Sequence, residues 1–236
     1  MYPLTRQLIA KQLSSMKDPY YGRPEVSNSD LSMIKKYWQP QGIIYDLEQA
    51  YKFGTLIDCM ITEPHKVDYF RFSCAGEQYT REDFERAELM KKAFYRDPLC
   101  AMMAKRSSFQ KVSIRQNFGI DYSRFSFSLD VRCKWDLFID EYDMSGDIKS
   151  TTATSQKQFE DAVRYFDYDR QRAWYLDIEE RSNDMLIGIS KVNFKVFKVP
   201  VKRGSDLYKS GRDKYQELAF KHAYLFDDIR NIRISA

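Results

Sequence analysis

Between Phe125 and Leu137 the chain alternates without a break. Phe125, Phe127, Leu129, Val131, Cys133, Trp135 and Leu137 fall on one parity, and Ser126, Ser128, Asp130, Arg132, Lys134 and Asp136 on the other. Side chains alternate across a sheet with a period of two, so this run predicts a half-buried β-strand. A turn is predicted over Asp140–Gly146, with Ser145-Gly146 as its breaker. Asp147-Ile148-Lys149-Ser150 then predicts a short second strand, with Ile148 packed inward and Asp147 and Lys149 sharing the other face. The hairpin so formed brings Asp136, Asp147 and Lys149 onto one polar surface. Two carboxylates and an ammonium on adjacent strands suit a divalent metal and an activated water. Acids and lysines are also ordinary on the wet face of an amphipathic hairpin, and these three residues alone do not separate the two readings.

The remaining chain can build a sizeable core around that hairpin. Of its 236 residues, 43% are hydrophobic and 15% aromatic, and it carries only nine glycines and seven prolines. Repeats, low-complexity tracts and linkers are absent, so one globular domain is expected over residues 26–236, preceded by a polar and aromatic N-terminal arm over 1–25. A formal charge of +4 permits a polyanionic partner without demanding one. No apolar run approaches the roughly 18 residues of a membrane span, and MYPLTRQLIAKQ lacks the apolar stretch of a secretory signal. The expected setting is therefore the cytoplasm, with no membrane partner. Cys59, Cys74, Cys100 and Cys133 are widely spaced with no C-x-x-C, which points to neither zinc nor a disulfide framework. His65 and His222 fit no ligand spacing.

Helices bracket the strands. Ser27, Asn28 or Ser29 caps a helix carrying Leu31, Ile34 and Trp38 at helical spacing. After Pro40-Gln41-Gly42, a longer helix is predicted over Tyr45–Ile61, with Leu47, Ala50, Tyr51, Leu56 and Met60 as its apolar stripe, an interruption at Gly54 and a stop at Pro64. Residues 65–80 predict strand-like or irregular chain. Thr80 to Asp83 opens the next helix as a variant capping box, and Pro98 starts a shorter one. Gln110–Gln116 alternates as a short strand leading into the hairpin. Beyond it, Ser155–Phe166 predicts a helix burying Phe159, Ala162, Val163 and Phe166, followed by a helical Asp169–Leu176. Strands over Met185–Val192 and Lys195–Pro200 precede a long helix from Asp206 to about Tyr224, capped by Ser205. This order predicts a mixed α/β fold with a sheet covered by helices.

Two further signals are short. Gln171 and Tyr175 stand four apart on one helix face, which equally describes a solvent-facing glutamine beside a packed tyrosine. Gly54 stands four before Asp58, so a helix there approaches another backbone closely while offering a carboxylate. The last third is basic: Lys191, Lys195, Lys198, Lys202, Arg203, Lys209, Arg212, Lys214 and Lys221 outnumber Asp206, Asp213 and Glu217. A DNA-tracking surface and a solvated face remain equal readings of it, as they do for Lys105–Arg115.

In order, the chain carries G-x-x-x-D (Gly54–Asp58), an alternating strand ending in Asp136, D-x-K (Asp147–Lys149) and Q-x-x-x-Y (Gln171–Tyr175). This series resembles the PD-(D/E)XK nuclease superfamily. More narrowly it resembles the RecE-type exodeoxyribonucleases, with λ exonuclease and the RecB nuclease domain as more distant relatives. The likeness covers roughly residues 26–224. It runs from VSNSDLSMI through FGTLIDCMITEP, KWDLF, GDIKSTT and YDRQRAWYLD to SDLYKSGRDKYQEL. Trp135 stands where the superfamily's nominal proline would fall, and no cysteine cluster follows Cys133, unlike the iron–sulfur relatives.

The resemblance implies a restriction-endonuclease-like fold, a mixed central sheet flanked by helices. It implies that Asp136 and Asp147 are metal-binding carboxylates, that Lys149 stands beside the attacking water and that the Ile148 carbonyl is a further ligand. Gln171 and Tyr175 become the Q-x-x-x-Y element near the site. Asp58 falls where RecE- and RecB-type relatives carry His and λ exonuclease carries Glu; a carboxylate there still suits a hard cation. Carboxylate and water ligands suit Mg²⁺ or Mn²⁺ better than zinc. The implied activity is a metal-dependent exodeoxyribonuclease of a phage or mobile element, hydrolysing linear duplex DNA from its ends in recombination or repair. A cyclic homo-oligomer and a single-strand-annealing recombinase partner belong to the same implication. The alternative is a nucleic-acid-binding or assembly protein that keeps the fold without cleavage.

Overall fold

The computed structural model describes residues 19–38 and 47–224. The first 18 residues of the expected arm, the Pro40-Gln41-Gly42 break and the predicted helix start at Tyr45 lie outside them. Ser27 caps α1 (Asn28–Trp38) through a reciprocal pair: its Oγ accepts from Asp30 N–H at 3.4 Å, and its own N–H and hydroxyl donate to Asp30 Oδ2 at 2.9 and 2.8 Å. α2 (Leu47–Thr62) ends before Pro64, as expected. Three two-residue strands follow, β1 (Val67–Asp68), β2 (Ser73–Cys74) and β3 (Glu77–Gln78), and form a small antiparallel sheet. Thr80 and Asp83 close the expected capping box on α3 (Arg81–Arg96). Asp97 caps α4 (Pro98–Arg106), with Pro98 in its first turn.

The central sheet begins with a long hairpin, β4 (Ser108–Tyr122) and β5 (Phe125–Ile139). It continues through β6 (Met144–Thr151), crosses over by α5 (Gln156–Tyr165) and α6 (Tyr168–Ile178), and returns as β7 (Asn183–Ser190) and β8 (Val196–Lys202) before α7 (Asp206–Tyr224). Strand order is β4-β5-β6-β7-β8; only β6 and β7 run parallel, because only they are joined by a helical crossover. One face packs on α1, α5, α6 and α7 through Leu31, Ile34, Phe159, Trp174, Tyr215 and Trp135. The other packs on α2, α3 and α4 through Leu56, Met60, Phe84, Phe94, Met103, Ile148 and Ile187. This is the mixed α/β sheet flanked by helices that the sequence predicts. Among the described residues no helix is long and apolar enough to cross a membrane.

Several expectations need correction. The turn spans residues 140–143, and Ser145 and Gly146 lie inside β6, both buried. Gly146 serves packing: a Cβ there would stand 2.8 Å from Met103 Cε and 3.1 Å from Leu137 Cδ1. The strand expected at Gln110–Gln116 runs on through a bulge between Arg115 and Phe118 to Tyr122. Alternation slips at the end of β5. Trp135 packs on the α6 side, whereas Leu137 packs on the α4 side. Gln110, left unpaired between the Phe109–Leu137 and Lys111–Trp135 pairs, adopts a left-handed backbone (φ 54°) opposite the slip. Ala50, Tyr51, Trp38 and Phe166, each assigned to a buried stripe, are exposed. The buried face of α2 is instead Phe53, Leu56, Ile57 and Met60.

α6 is buried almost all round, although it carries Asp169, Arg170, Arg172 and Asp177. A buried charge is tolerable only when paired, and each of these is. Asp177 accepts from Tyr208 and Tyr215 (2.6 and 2.5 Å) and from Arg203. Asp169 accepts from Lys214 and Ser210, and Arg170 donates to Asn28 and Ser32. α7 lies so close that a Cβ on Gly211 would stand 2.2 Å from the Asp169 carbonyl oxygen. These ties fix α6 across the sheet, directly behind β5 and β6.

Candidate active site

β5 and β6 pair only at Leu137–Gly146, Phe138–Ser145 and Ile139–Met144. Beyond that point the strands diverge, and a side chain replaces the ladder: Ile148 N–H donates to Asp136 Oδ2 at 2.8 Å. The free edge of β5 that β6 leaves behind is taken by Val26, whose N–H and C=O bond Asp130 and Arg132. The divergence opens a cleft of about 680 Å³ between α2 and the α5–α6 junction. Asp58, Asp136, Ile148 and Lys149 line it, so four of the seven expected site residues meet there.

Asp147 sits behind that lining. It is only 2% exposed, and its carboxylate is held from two sides. Arg172 Nη1 donates to Oδ1 at 2.8 Å, and Lys149 Nζ stands 2.6 Å from Oδ2. Arg172 also donates through Nε to Asp184, itself buried. The guanidinium lies over the rings of Tyr175 and Trp135, 4.4 and 5.1 Å from their centroids. Neither Arg172 nor Asp184 was singled out from the sequence. The available signal was an ionisable residue inside an apolar run, in RAWYL and again in NDMLIGI.

Asp58 is steadied from its own helix and from β4. Gln110 Nε2 donates to Asp58 Oδ2 at 3.1 Å and to Thr62 Oγ1 at 2.8 Å, and Thr62 Oγ1 reaches Asp58 Oδ1 at 3.2 Å. Gly54, expected to admit a close backbone, has only Ser150 Oγ within 4 Å of a built Cβ, so no close approach requires it. Gln171 is half-buried and hydrogen-bonds Tyr175. Tyr175 packs against Trp135 with ring centroids 5.1 Å apart. It forms part of the support beneath β5 and does not line the cleft.

The electrostatics of the cleft are those of crowded acids. Burial, followed by the charges of Asp58 and Asp147, raises Asp136 well above the usual carboxylate range. Burial, then Cys59, raises Asp58 to about 7, against the lowering effects of Thr62 and Lys134. Burial disfavours the Lys149 ammonium, but Asp147 and Asp136 outweigh it and raise its pKa. Such crowding of anions is relieved by a cation.

Asp58, Asp136, Asp147 and the Ile148 carbonyl offer only hard oxygens, the donor set of Mg²⁺ or Mn²⁺. Asp147 Oδ2, buried, is paired with the Lys149 ammonium, a charge a bound cation would compete with. The residues therefore fit a divalent cation in donor chemistry. Among the described residues, no three His, Cys, Asp or Glu side chains are gathered into a ready cage.

The basic last third is largely consumed internally. Lys198 pairs with Asp97, Arg203 and Arg212 with Asp177, Lys214 with Asp167 and Asp169, and Lys221 with Glu217. Lys191 lines the cleft. In the other basic stretch, Lys111 and Arg115 pair with Glu179 and Glu180.

A mixed five-stranded sheet whose diverging central strands present an Asp and a D-x-K defines a PD-(D/E)XK-like protein. The family described as "PDDEXK-like domain of unknown function (DUF3799)" matches residues 28–199, and the chain belongs to it. That membership supports a nuclease, and relatives of this fold generally use divalent metals. No curated protein matches the chain significantly.

Among solved structures, the chain is similar to the protein SSO0001 at 12% identity and a TM-score of 0.36, covering 62% of this chain and 70% of that one. It is also similar to a phage-related exonuclease from Haemophilus somnus 129PT at 12% identity and a TM-score of 0.36, covering 88% and 99%. At these scores neither likeness carries an argument.

Proposed function

We propose that this protein is a divalent-metal-dependent exodeoxyribonuclease of the RecE type, acting on ends of linear duplex DNA in recombination or repair. The observation that carries the reading is the convergence of Asp58, Asp136, Ile148 and Lys149 on one cleft where β5 and β6 part, in a chain of the PDDEXK-like family. Asp136, Asp58, the Ile148 carbonyl and a reoriented Asp147 would hold Mg²⁺ or Mn²⁺. A bound cation supplies charge neutralisation at the phosphodiester and acidifies water. Lys149, kept protonated by Asp147 and Asp136, orients the attacking water and stabilises negative charge developing on the phosphate. Gln171 and Tyr175 act from behind, by holding Trp135 and the end of β5 in place.

The test is digestion of end-labelled linear duplex and of covalently closed circles with Mg²⁺, Mn²⁺ or EDTA. Linear duplex should be degraded with either metal and spared in EDTA, circles should persist, and Asp136→Asn should be inert. A closed ring of subunits around the duplex explains end-dependence, and light scattering with and without DNA tests it. A single-strand-annealing recombinase is the partner this reading calls for.

One observation favours the second reading, a DNA-binding or assembly protein without cleavage: Asp147 is already neutralised by Arg172 and Lys149. Failure to cut either substrate with either metal would establish it over the first.

A further inference from the structure

A second groove, of about 720 Å³, lies between α3 and the β7–β8 turn and shares no lining residue with the acidic cleft. Leu89, Lys92 and Arg96 reach it from one face of α3 at helical spacing. Phe194, Lys195 and Val196 meet them from the turn and β8. Leu89 is 47% exposed, and Phe194 and Val196 are covered only in part. Both walls are fixed before anything binds. Lys198 on β8 pairs with Asp97 at the end of α3. Ser190 Oγ closes the turn by accepting from Val192 and Asn193 N–H, at 3.2 and 3.3 Å. Asn193 donates to the Thr154 carbonyl at 3.0 Å and accepts from Lys195 N–H at 3.2 Å. A preformed site spares its ligand the cost of ordering it. The neighbouring cations Lys91 and Lys198 are paired with Glu88 and Asp97. Lys92, Arg96 and Lys195 are exposed, and among the described residues they have no carboxylate in ion-pair reach.

We propose that this groove docks a short acidic segment of a partner protein. A large apolar side chain of that segment seats against Leu89, Phe194 and Val196, and its carboxylates meet Lys92, Arg96 and Lys195. The groove stands apart from the cleft, and its role does not depend on the nuclease reading. An apolar floor inside a charged rim divides the work of recognition: the floor supplies affinity, and the rim selects the partner's sign of charge. The volume falls within the range of small-ligand pockets, room for one or two side chains with the flanking chain over the rim. Three uncompensated cations repel a basic segment and gain nothing from a neutral one. A nucleic-acid backbone would satisfy the cations but turn phosphate and sugar to the apolar floor, forfeiting the burial that floor offers. An acidic segment with an apolar anchor satisfies both.

The test is selection of a random library of short peptides on the immobilised full chain, followed by fluorescence anisotropy of the enriched peptides. These should carry Asp or Glu around a Leu, Ile, Phe, Tyr or Trp, and their affinity should fall as salt rises. Lys92→Glu combined with Arg96→Glu should weaken their binding about tenfold or more, as like charges brought together do. Leu89→Ser should weaken it about tenfold, the loss of one buried leucine. Lys195→Glu, on the opposite wall, gives an independent reading of the same loss. Lys209→Glu makes the same charge change on α7, outside the groove, and should leave binding unaltered. All of these side chains are exposed, so the variants should melt with the wild type in urea. No enrichment, enrichment of basic or purely polar peptides, or enriched peptides that bind the groove variants as tightly as the wild type overturns the proposal. So does a labelled oligonucleotide, single-stranded or duplex, whose affinity falls in the charge-reversed protein but holds in Leu89→Ser, since the groove then tracks nucleic acid.

Discussion

Arg172, with no exposed surface, joins Asp147 to Asp184 across the back of the cleft, donating to Asp147 Oδ1 at 2.8 Å and to Asp184 through Nε. It is the guanidinium on α6 that lets β6 and β7 carry adjacent buried acids. Opposing the charged form by burial and favouring it through Asp184 and Asp147, the surroundings raise its pKa on balance. Removing one partner of a buried pair strands the other charge, typically at a cost of about 3–5 kcal/mol. Arg172→Met should lose stability of that order in urea unfolding, and adding Asp184→Asn should recover part of it. A single variant as stable as the wild type would show that Arg172 does not hold these acids.

The acids of the cleft predict a pH dependence whose sign follows from their direction. Burial, then Cys59, raises Asp58 to about 7, and burial, then Asp58 and Asp147, raises Asp136. A carboxyl raised in the folded state keeps its proton there after the unfolded chain has released it. From about pH 4 up to the raised values the folded state thus binds more protons, and stability falls as pH rises. Metal-free protein should be less stable at pH 8 than at pH 5, and Asp58→Asn should recover up to about 2.7 kcal/mol of the difference, since only the two pH units from 5 to about 7 contribute. Mg²⁺ should stabilise the wild type at pH 8 more than this variant. Urea melts at both pH values in EDTA check it; an unchanged slope in Asp58→Asn removes Asp58 from the cluster.

What could be read from the sequence was what local rules determine. Caps at Ser27, Thr80 and Ser205, the stop before Pro64 and most of the β5 alternation all depend on neighbours within a few positions. The meeting of Asp58, Asp136 and Lys149 came through ordered motifs rather than spacing alone. Non-local packing supplied the remainder. Phe166 continues the spacing of Phe159, Ala162 and Val163, but α5 stops one residue earlier and the left-handed Asp167 turns it to the cleft. Leu137 continues the β5 parity, but the irregular Gln110 on a partner strand flips the face. The Arg172–Asp147–Asp184 arrangement needs β6 and β7 to be parallel neighbours, a pairing that no residue pattern within either strand announces.

On the proposed reading, Lys149 separates water positioning from cation binding. Its Nζ lies 2.6 Å from Asp147 Oδ2 and 5.0 Å from the Tyr168 ring, at the lip of the cleft. Lys149→Ala should slow Mg²⁺-dependent DNA cleavage about 10²–10³-fold, as loss of one preorganised donor does elsewhere. Metal affinity measured by calorimetry should hold or rise, since a competing cation has left the acids. Lys149→Ala with wild-type turnover would take the lysine out of the reaction.

Gly211 sets the distance between α7 and α6. A Cβ at this position would lie 2.2 Å from Asp169 O, 2.5 Å from Asp169 C and 2.9 Å from Arg170 N. All three are backbone atoms, so no side-chain rotation can relieve the clash. On propensity alone, Gly→Ala inside a helix gains about 1 kcal/mol; overpacking typically costs about 1–3 kcal/mol and here requires a whole helix to move. Gly211→Ala should therefore be destabilising by about 2 kcal/mol or more, against the propensity trend. Because α6 carries Gln171, Arg172 and Tyr175, its displacement should also reduce cleavage of linear duplex, though Gly211 touches no part of the cleft. Gly119→Ala is the control: a Cβ there meets nothing within 4 Å, and this variant should keep both stability and activity. A Gly211→Ala protein that melts at or above the wild-type urea midpoint would mean that the two helices are not held at the separation on which Arg172's reach to Asp147 depends.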